Sequence, residues 1–469
     1  MKKNLINTFQ KFIMALFVVL MMGMIISNFH NRISYVIPFI ASIIIIIYSG
    51  KLLKQDFYMK NRTKTMFLII TCAILIRLAL LFLDYNNPMG DYAVYYENAV
   101  SLSNNQSLSI TYISLFPHLF GYIQVLSWMM NIFGTSYTTV VLLNIIFDLL
   151  TMFIIFKTIR NQESKLKGTF LWAINPINIM WCAMSVPISA LNLFLALSIW
   201  IFSKINLAIK KRHYTTLSIL LGISLFITNI FRPLMPIFII AIAICYGYKL
   251  LLKYTREELI KSSICLILTI TSFTAFNNLN MQYIEKKLKT NVAAGAPGYT
   301  LYTGASLESS GSWNPKISQE LYDIYDKYQD SDETQKYFTK KSILTYKENG
   351  IKNNTKLFAK KFLFLTKDLS IYSNDNFAYQ VNSAKIRNIN GIIMITEIIF
   401  TIILGTCLLF GVNNLKGNKI KTEAMLIVLF IIGFIIASLL LEVSPRYVLS
   451  LLVPLTIIAS LNTKLKRVE

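Results

Sequence analysis

Thirteen apolar runs divide this chain, each close to the roughly 20 residues that carry an α-helix across a bilayer's hydrocarbon core. They lie near 12–28, 33–50, 65–83, 116–133, 138–157, 167–184, 187–203, 215–231, 234–251, 261–278, 390–411, 422–441 and 446–462. Stretches such as "FIMALFVVLMMGMII" leave no polar face with which a helix could meet water. In lipid the backbone must satisfy its own hydrogen bonds, so helices are the economical reading. The expectation is an all-α polytopic membrane protein, and a single soluble core is excluded. Only 15% of the 469 residues are charged, against about 25% in soluble domains.

A net charge of +23 would suggest nucleic acid in a soluble protein, but here the Lys and Arg residues concentrate in short links between apolar runs. These are 51–64, 157–167, 204–213, 249–261, 413–421 and the tail, and the positive-inside rule puts them in the cytoplasm. Residues 84–111 carry no Lys or Arg and belong outside. Two crossings between that loop and the basic link at 157–167 would break the parity. The repair makes 116–133 an interfacial helix: it starts at Pro117 and carries His118, Gln124, Trp128 and Asn131. About 12 transmembrane helices remain, with both termini cytoplasmic, in the cell membrane. The N-terminal run is read as a retained helix, because no small-residue cleavage site follows it.

Four regions follow from this. Residues 1–64 form a two-helix membrane hairpin, and 65–278 a transmembrane core with a first extracytoplasmic loop at 84–137. Residues 279–389 form one large extracytoplasmic loop, and 390–469 the C-terminal helices. Cys72, Cys182, Cys245, Cys265 and Cys407 all fall in apolar runs without metal-site spacing, so buried free thiols are expected. The three histidines are scattered. No metal site and no cofactor is indicated.

The chemistry-bearing stretches lie at the outer ends of the apolar runs. In "NPMGDYAVYYENAV" (87–100), Pro88 and Gly90 break the chain and a short helix follows. Asp91 is either its N-cap or a general base, since aspartate is ionised at neutral pH and can accept a proton from a hydroxyl. In "LLEVSPRYVLSLLVP" (440–454), Glu442, Arg446 and Tyr447 interrupt two apolar runs. Arg446 is either a snorkelling turn residue or a fork for a membrane-surface phosphate. Arg232, between Pro233 and the preceding apolar run, needs either a carboxylate partner or an anionic ligand. Arg77 either snorkels or meets the same phosphate. His118 is either interfacial filler or a ligand or base. Lys385 and Arg387 either bind lipid phosphates or mark the interface.

The order of these features resembles the GT-C glycosyltransferases, especially the bacterial aminoarabinose transferases of lipid A and the protein O-mannosyltransferases (glycosyltransferase family 39-like). The matching residues are Arg77, the D-x-x-x-Y pair Asp91 and Tyr95, Pro117, "IFG" at 132–134, "KTIR" at 157–160, "INPINIMWCAMSVPISALNLFLAL" (174–197), "LGISLFITNIFRP" (221–233) and the terminal P-R-Y hairpin at 445–447. The resemblance covers roughly 65–465. It implies a transferase that takes a sugar from a polyprenyl-phosphate donor to an acceptor hydroxyl outside the cytoplasm, with inversion. The acceptor would be a glycan, a lipid or a protein of the cell envelope, in a bacterium. Asp91 would be the base, and Arg232, Arg446, Arg77, Lys385 and Arg387 would hold the donor phosphate. Tyr95, Tyr96, Glu97, His118, Trp313, Glu442 and Tyr447 would line the substrate site. Tyr92 stands where the family often carries a second acid, so Glu97 or Asp84 would take that part. A divalent metal remains possible but is not indicated.

Two other classes fit a polytopic chain. A transporter or flippase of lipid-linked saccharides would place charges at helix centres, where Asp148 is the main example here. A polysaccharide polymerase would use diphosphate-linked oligosaccharides.

Overall fold

The computed structural model describes residues 2–29, 40, 61–252, 255–293, 297–367, 369–382, 390–416 and 420–461. The apolar run at 33–50, the basic stretch 51–60, and Lys385 and Arg387 lie outside the described residues, apart from Ile40. Among the described residues the fold is entirely helical. Eight helices are long and apolar enough to cross a membrane. They are α1 (Lys2–Phe29), α2 (Arg62–Leu78, prolonged by a 3-10 turn to Phe82), α6 (Tyr137–Thr158), α9 (Ile188–Leu207), α10 (Lys211–Phe231), α12 (Arg256–Leu288), α17 (Asn390–Lys416) and α18 (Thr422–Leu440). Shorter apolar helices accompany them: α5 (Leu119–Phe133), α11 (Met235–Leu252), and a 3-10 segment Pro445–Leu451 running into α19 (Leu452–Ser460).

α5 has 15 residues, about 22 Å of helix, shorter than a hydrocarbon core of about 30 Å. The run at 167–184 is not one helix. Asn175 ends α7 (Gln162–Ile174), and its side chain accepts from the Ile177 backbone N–H at 3.1 Å to start α8 (Pro176–Trp181). A proline at the first helical position favours that restart and forbids an unbroken helix through 176. α12 runs on to Leu288, 33 residues or about 50 Å, well past the apolar run that began it.

The described residues within 279–389 are largely helical. They contain the end of α12, then α13 (Gly298–Ala305), α14 (Pro315–Tyr328), α15 (Ser331–Thr366) and α16 (Leu369–Gln380). Asn314 and Asp330 cap α14 and α15 by accepting first-turn backbone N–H groups. α15 bends at Gly350, where φ is +67°. α1 is woven into the C-terminal half: a Cβ added at Gly411 on α17 would sit 2.8 Å from Val18, and the Tyr248 hydroxyl donates to Gln10 at 2.9 Å.

Chain direction sorts the two ends of the bundle. α9 ends and α10 begins at one end, beside the α6–α7 and α17–α18 links, where Arg160 donates to the Ser203 carbonyl and to Glu423. These are the basic links. The other end gathers the start of α9, the end of α10, the end of α18, and the short helices α3 (Asp91–Ser103), α4 (Ile110–Leu115) and α13–α16.

Arg77 does not snorkel. It is fully buried and pairs with Asp148 at 2.5 Å, while three more of its N–H groups donate to the carbonyls of Ala73, Ala173 and Trp172. Two intramembrane charges thus neutralise one another and lock α2, α6 and α7 together. Cys72 differs from the expectation: it is exposed, and the other four thiols are buried.

Removing one partner of such a pair strands the other, at a cost of about 3–5 kcal/mol, whereas an apolar pair of similar volume is tolerated. Asp148→Leu alone is expected to lower the melting temperature of the detergent-purified protein sharply. Arg77→Met/Asp148→Leu recovers most of the loss in the same melts.

Candidate functional site

A cavity of about 1400 Å³ opens at the end of the bundle opposite the basic links. Apolar side chains from the ends of α9, α10, α12 and α18 form much of its wall, including Leu191, Phe231, Phe273 and Phe434. Its charged residues come from distant parts of the chain: Asp91, Arg232, Lys367, Asp375, Glu442 and Arg446.

Asp91 is not the N-cap. Gly90 holds that position with φ +56°, a left-handed geometry that a side chain would strain, and Asp91 becomes the first helical residue. No cap bond forms; instead the carboxylate turns into the cavity. Arg446 Nη2 donates to its Oδ2 at 2.5 Å across 355 residues of sequence, and the Tyr112 hydroxyl donates to Oδ1 at 3.3 Å. The pair is only partly covered, with Arg446 26% and Asp91 41% exposed, so a solute in the cavity can reach both.

The second arginine stands beside the first. The Arg232 guanidinium lies 4.1 Å from the Tyr447 ring centre, and that of Arg446 lies 5.8 Å from the same ring. A shared aromatic face holds the two cations near one another despite their repulsion. Arg232 also donates to Ser450 Oγ at 3.3 Å, and the Tyr447 hydroxyl donates to Glu442 at 3.1 Å. Burial raises the Glu442 carboxyl, with Arg446 opposing. Burial, then Arg232, pushes the His118 imidazole down to about 4, with Asp91 opposing, so His118 meets the cavity uncharged at neutral pH.

Among the other predicted residues, Tyr95 and Trp313 line the cavity, Tyr95 buried and Trp313 exposed. Tyr96 turns away and donates to the Thr135 carbonyl at 2.7 Å. Glu97 and Asp84 are exposed and do not line the cavity, and neither does Arg77, whose donors are spent inside the bundle. Tyr92 donates to Asn376 at 3.0 Å and accepts from Ser185 at its carbonyl, which ties α3 to α16 and to the turn before α9. The acid that α16 brings to the cavity is Asp375. Sequence reasoning missed Asp375, Tyr112, Tyr322 and Tyr372, because each lies in a stretch with no pattern of its own. No group of three or more His, Cys, Asp and Glu that could hold a metal ion occurs among the described residues.

The turn that carries Glu442 and Arg446 is clamped from behind. Glu442 N donates to the Thr300 carbonyl at 2.7 Å and Val443 N to the Gly311 carbonyl at 2.9 Å. Lys361, wholly buried on α15, donates to the Gly304 carbonyl at 2.9 Å, and its stem fills the space beside Gly311, whose φ is +77°. No family model, curated protein or solved structure matches this chain. The chemistry of the cavity therefore has to be argued from its own residues.

Burial pushes the Lys361 amine from 10.5 down to about 7, with Glu442 opposing. Folding then releases a proton between those values. The lysine's contribution is fully present above 10.5 and is lost as the pH falls toward 7. The melting temperature should rise between pH 7 and 9.5, and Lys361→Met should shrink that rise.

Proposed function

We propose that this protein is a glycosyltransferase of the bacterial cell membrane. It moves a sugar from a polyprenyl-phosphate donor to an acceptor hydroxyl on the extracytoplasmic side, with Asp91 as general base. The observation that carries the reading is the meeting of Asp91 with Arg446 and Arg232 on the wall of one large, mostly apolar cavity. A prenyl chain suits the apolar wall. Two neighbouring arginines suit a phosphate monoanion or dianion, and Arg232 directs a donor to the Ser450 hydroxyl rather than to an acid. An aspartate within reach of both suits a hydroxyl that must lose a proton.

In the proposed reaction the acceptor oxygen attacks the anomeric carbon from the face opposite the phosphate. The C–O bond to the phosphate breaks, the leaving oxygen keeps the electron pair, and configuration inverts. The acceptor proton passes to Asp91 and then to solvent. Arg446 and Arg232 stabilise the charge that develops on the leaving phosphate. The contact with Asp91 uses one of the five N–H groups of Arg446, so an arriving phosphate can bind the remainder and loosen its hold on the base.

Sidedness rests on charge. The basic links lie at the end opposite the cavity, and the positive-inside rule supports reading the cavity as the outer side. Twelve crossings follow if 33–50, the α7–α8 pair, α11 and the 445–460 segment also cross. Transport is the weaker reading, because Asp148, the mid-helix charge that would argue for it, is neutralised by Arg77.

Purified protein in lipid nanodiscs, supplied with polyprenyl-phosphate sugars and envelope glycan acceptors, should release polyprenyl phosphate. Asp91→Asn should slow transfer by about 100-fold or more while leaving membrane insertion intact. Full activity in that variant would end the assignment. Arg446→Ala and Arg232→Ala should each weaken donor use by about tenfold or more. A deletion strain should lack one sugar in the mass spectrum of its envelope glycans.

A further inference from the structure

Asp91 borders two cavities. The second, of about 560 Å³, lies against the first and shares Gly90, Asp91, Tyr112, Trp313, Ser318 and Tyr322 with it. Its remaining wall is Val94, Ser109, Ile110 and Thr111. The contrast in chemistry is sharp. The large cavity holds both arginines and a long apolar wall. The small one holds hydroxyls, aromatic rings and one charge, the carboxylate of Asp91.

Both sides of the small cavity are held in place. Asn98 Oδ1 accepts from the Ser109 backbone N–H at 2.7 Å, which fixes the 104–111 turn against α3. On the far side, Gly311 is tied to Val443, and Asn314 caps α14 by accepting from Lys316 and Ile317, so Trp313 sits between two anchored positions. Trp313 is nonetheless 59% exposed. A large aromatic ring left open to solvent on a fixed segment, beside a hydroxyl-lined hollow, is an unused apolar platform.

We propose that this smaller cavity is the acceptor subsite and that it takes an uncharged carbohydrate, with the C–H face of a sugar ring laid on Trp313. The proposal rests on the transfer reading of Asp91 and names the acceptor for it. The volume falls in the range of about 300–1,000 Å³ usual for small-ligand sites. Ser109, Thr111, Ser318 and the Tyr112 and Tyr322 hydroxyls offer the mixed donors and acceptors that sugar hydroxyls require. Burial raises Tyr112, and Tyr322 likewise, so both remain O–H donors at neutral pH. No cation lines the subsite, and Arg446, behind Asp91, is already paired with that carboxylate, so an anionic polymer would find no charge partner in it. The wall offers no strand edge for a peptide to extend, and its many hydroxyls match a polyhydroxylated ring better than a peptide backbone. Between the two cavities, Asp91 faces the hydroxyl on one side and the donor's phosphate-binding arginines on the other.

Saturation-transfer NMR on the full chain in nanodiscs tests the proposal. The probes are methyl β-glucoside, methyl α-mannoside, methyl β-galactoside, an N-acetylglucosamine trisaccharide, a glycerol-phosphate oligomer and a serine/threonine-rich peptide. At least one neutral sugar should bind, about fivefold more weakly in Trp313→Ala, with recovery in Trp313→Phe and no change in Arg232→Ala. Matching melting temperatures for the Trp313 variants separate loss of binding from loss of fold. Binding that is indifferent to Trp313, no binding by any neutral sugar, or stronger binding by the oligomer or the peptide would overturn it. The two readings fail separately. Neutral sugar bound at Trp313 with no transfer from any polyprenyl-phosphate donor sinks the transferase and leaves the subsite. Transfer only to the anionic or peptide acceptor sinks the subsite and leaves the transferase.

Discussion

A charge placed among apolar helices survives only with a partner, and that constraint organises this molecule from its interior to its mouth. Arg77 and Asp148 spend their charges on each other, and Arg77 fills its other donors with carbonyls of α2 and α7, so the pair acts as a pin through the bundle. Lys361 meets the constraint differently. With one carbonyl partner and near-complete burial, it yields part of its charge instead. At the cavity the solution is again a pair, Asp91 with Arg446, but this one is left partly open. An ion pair that a solute can reach is exchangeable in a way that the Arg77 pair is not.

That difference separates architecture from chemistry. Arg77 looks, by position, as suited to a phosphate as Arg446. Geometry divides them: the first has its guanidinium fork filled by the protein, whereas the second shows one contact to a carboxylate beside a large empty volume. Tyr447 sharpens the point. By offering its ring to Arg232 and its neighbourhood to Arg446, it holds two guanidinium groups near one another beside Asp91, while burial raises the Glu442 carboxyl. The result is two guanidinium groups facing one cavity.

Much of the helical frame was legible, because period and run length report directly on burial in lipid. The start of α3 at Gly90–Asp91, a short apolar helix within 116–133, and the basic links gathered at one end all follow from local pattern and charge. The break at Asn175–Pro176 was written in the sequence too, but an apolar run long enough to cross outweighed it. The helices within 279–389 were harder to see. Their buried apolar residues pack against one another and against α1 and α18 and are interspersed with polar ones, so no long apolar run announces them.

The site was legible only in part, and for a physical reason. Sequence shows a residue's type and its neighbours along the chain, whereas a cavity is defined by what arrives from elsewhere. Asp91 invited two readings, cap or base, because both use the same carboxylate at the start of a helix. Gly90 decides between them: by taking the cap position itself, it leaves the carboxylate nothing local to bind. The oxygens then answer to Arg446, 355 residues away, and to Tyr112 on the next helix. A backbone dihedral in one glycine thus converts a helix-capping group into one that faces two cavities, and neither partner that receives it could have been read from the stretch in which it lies.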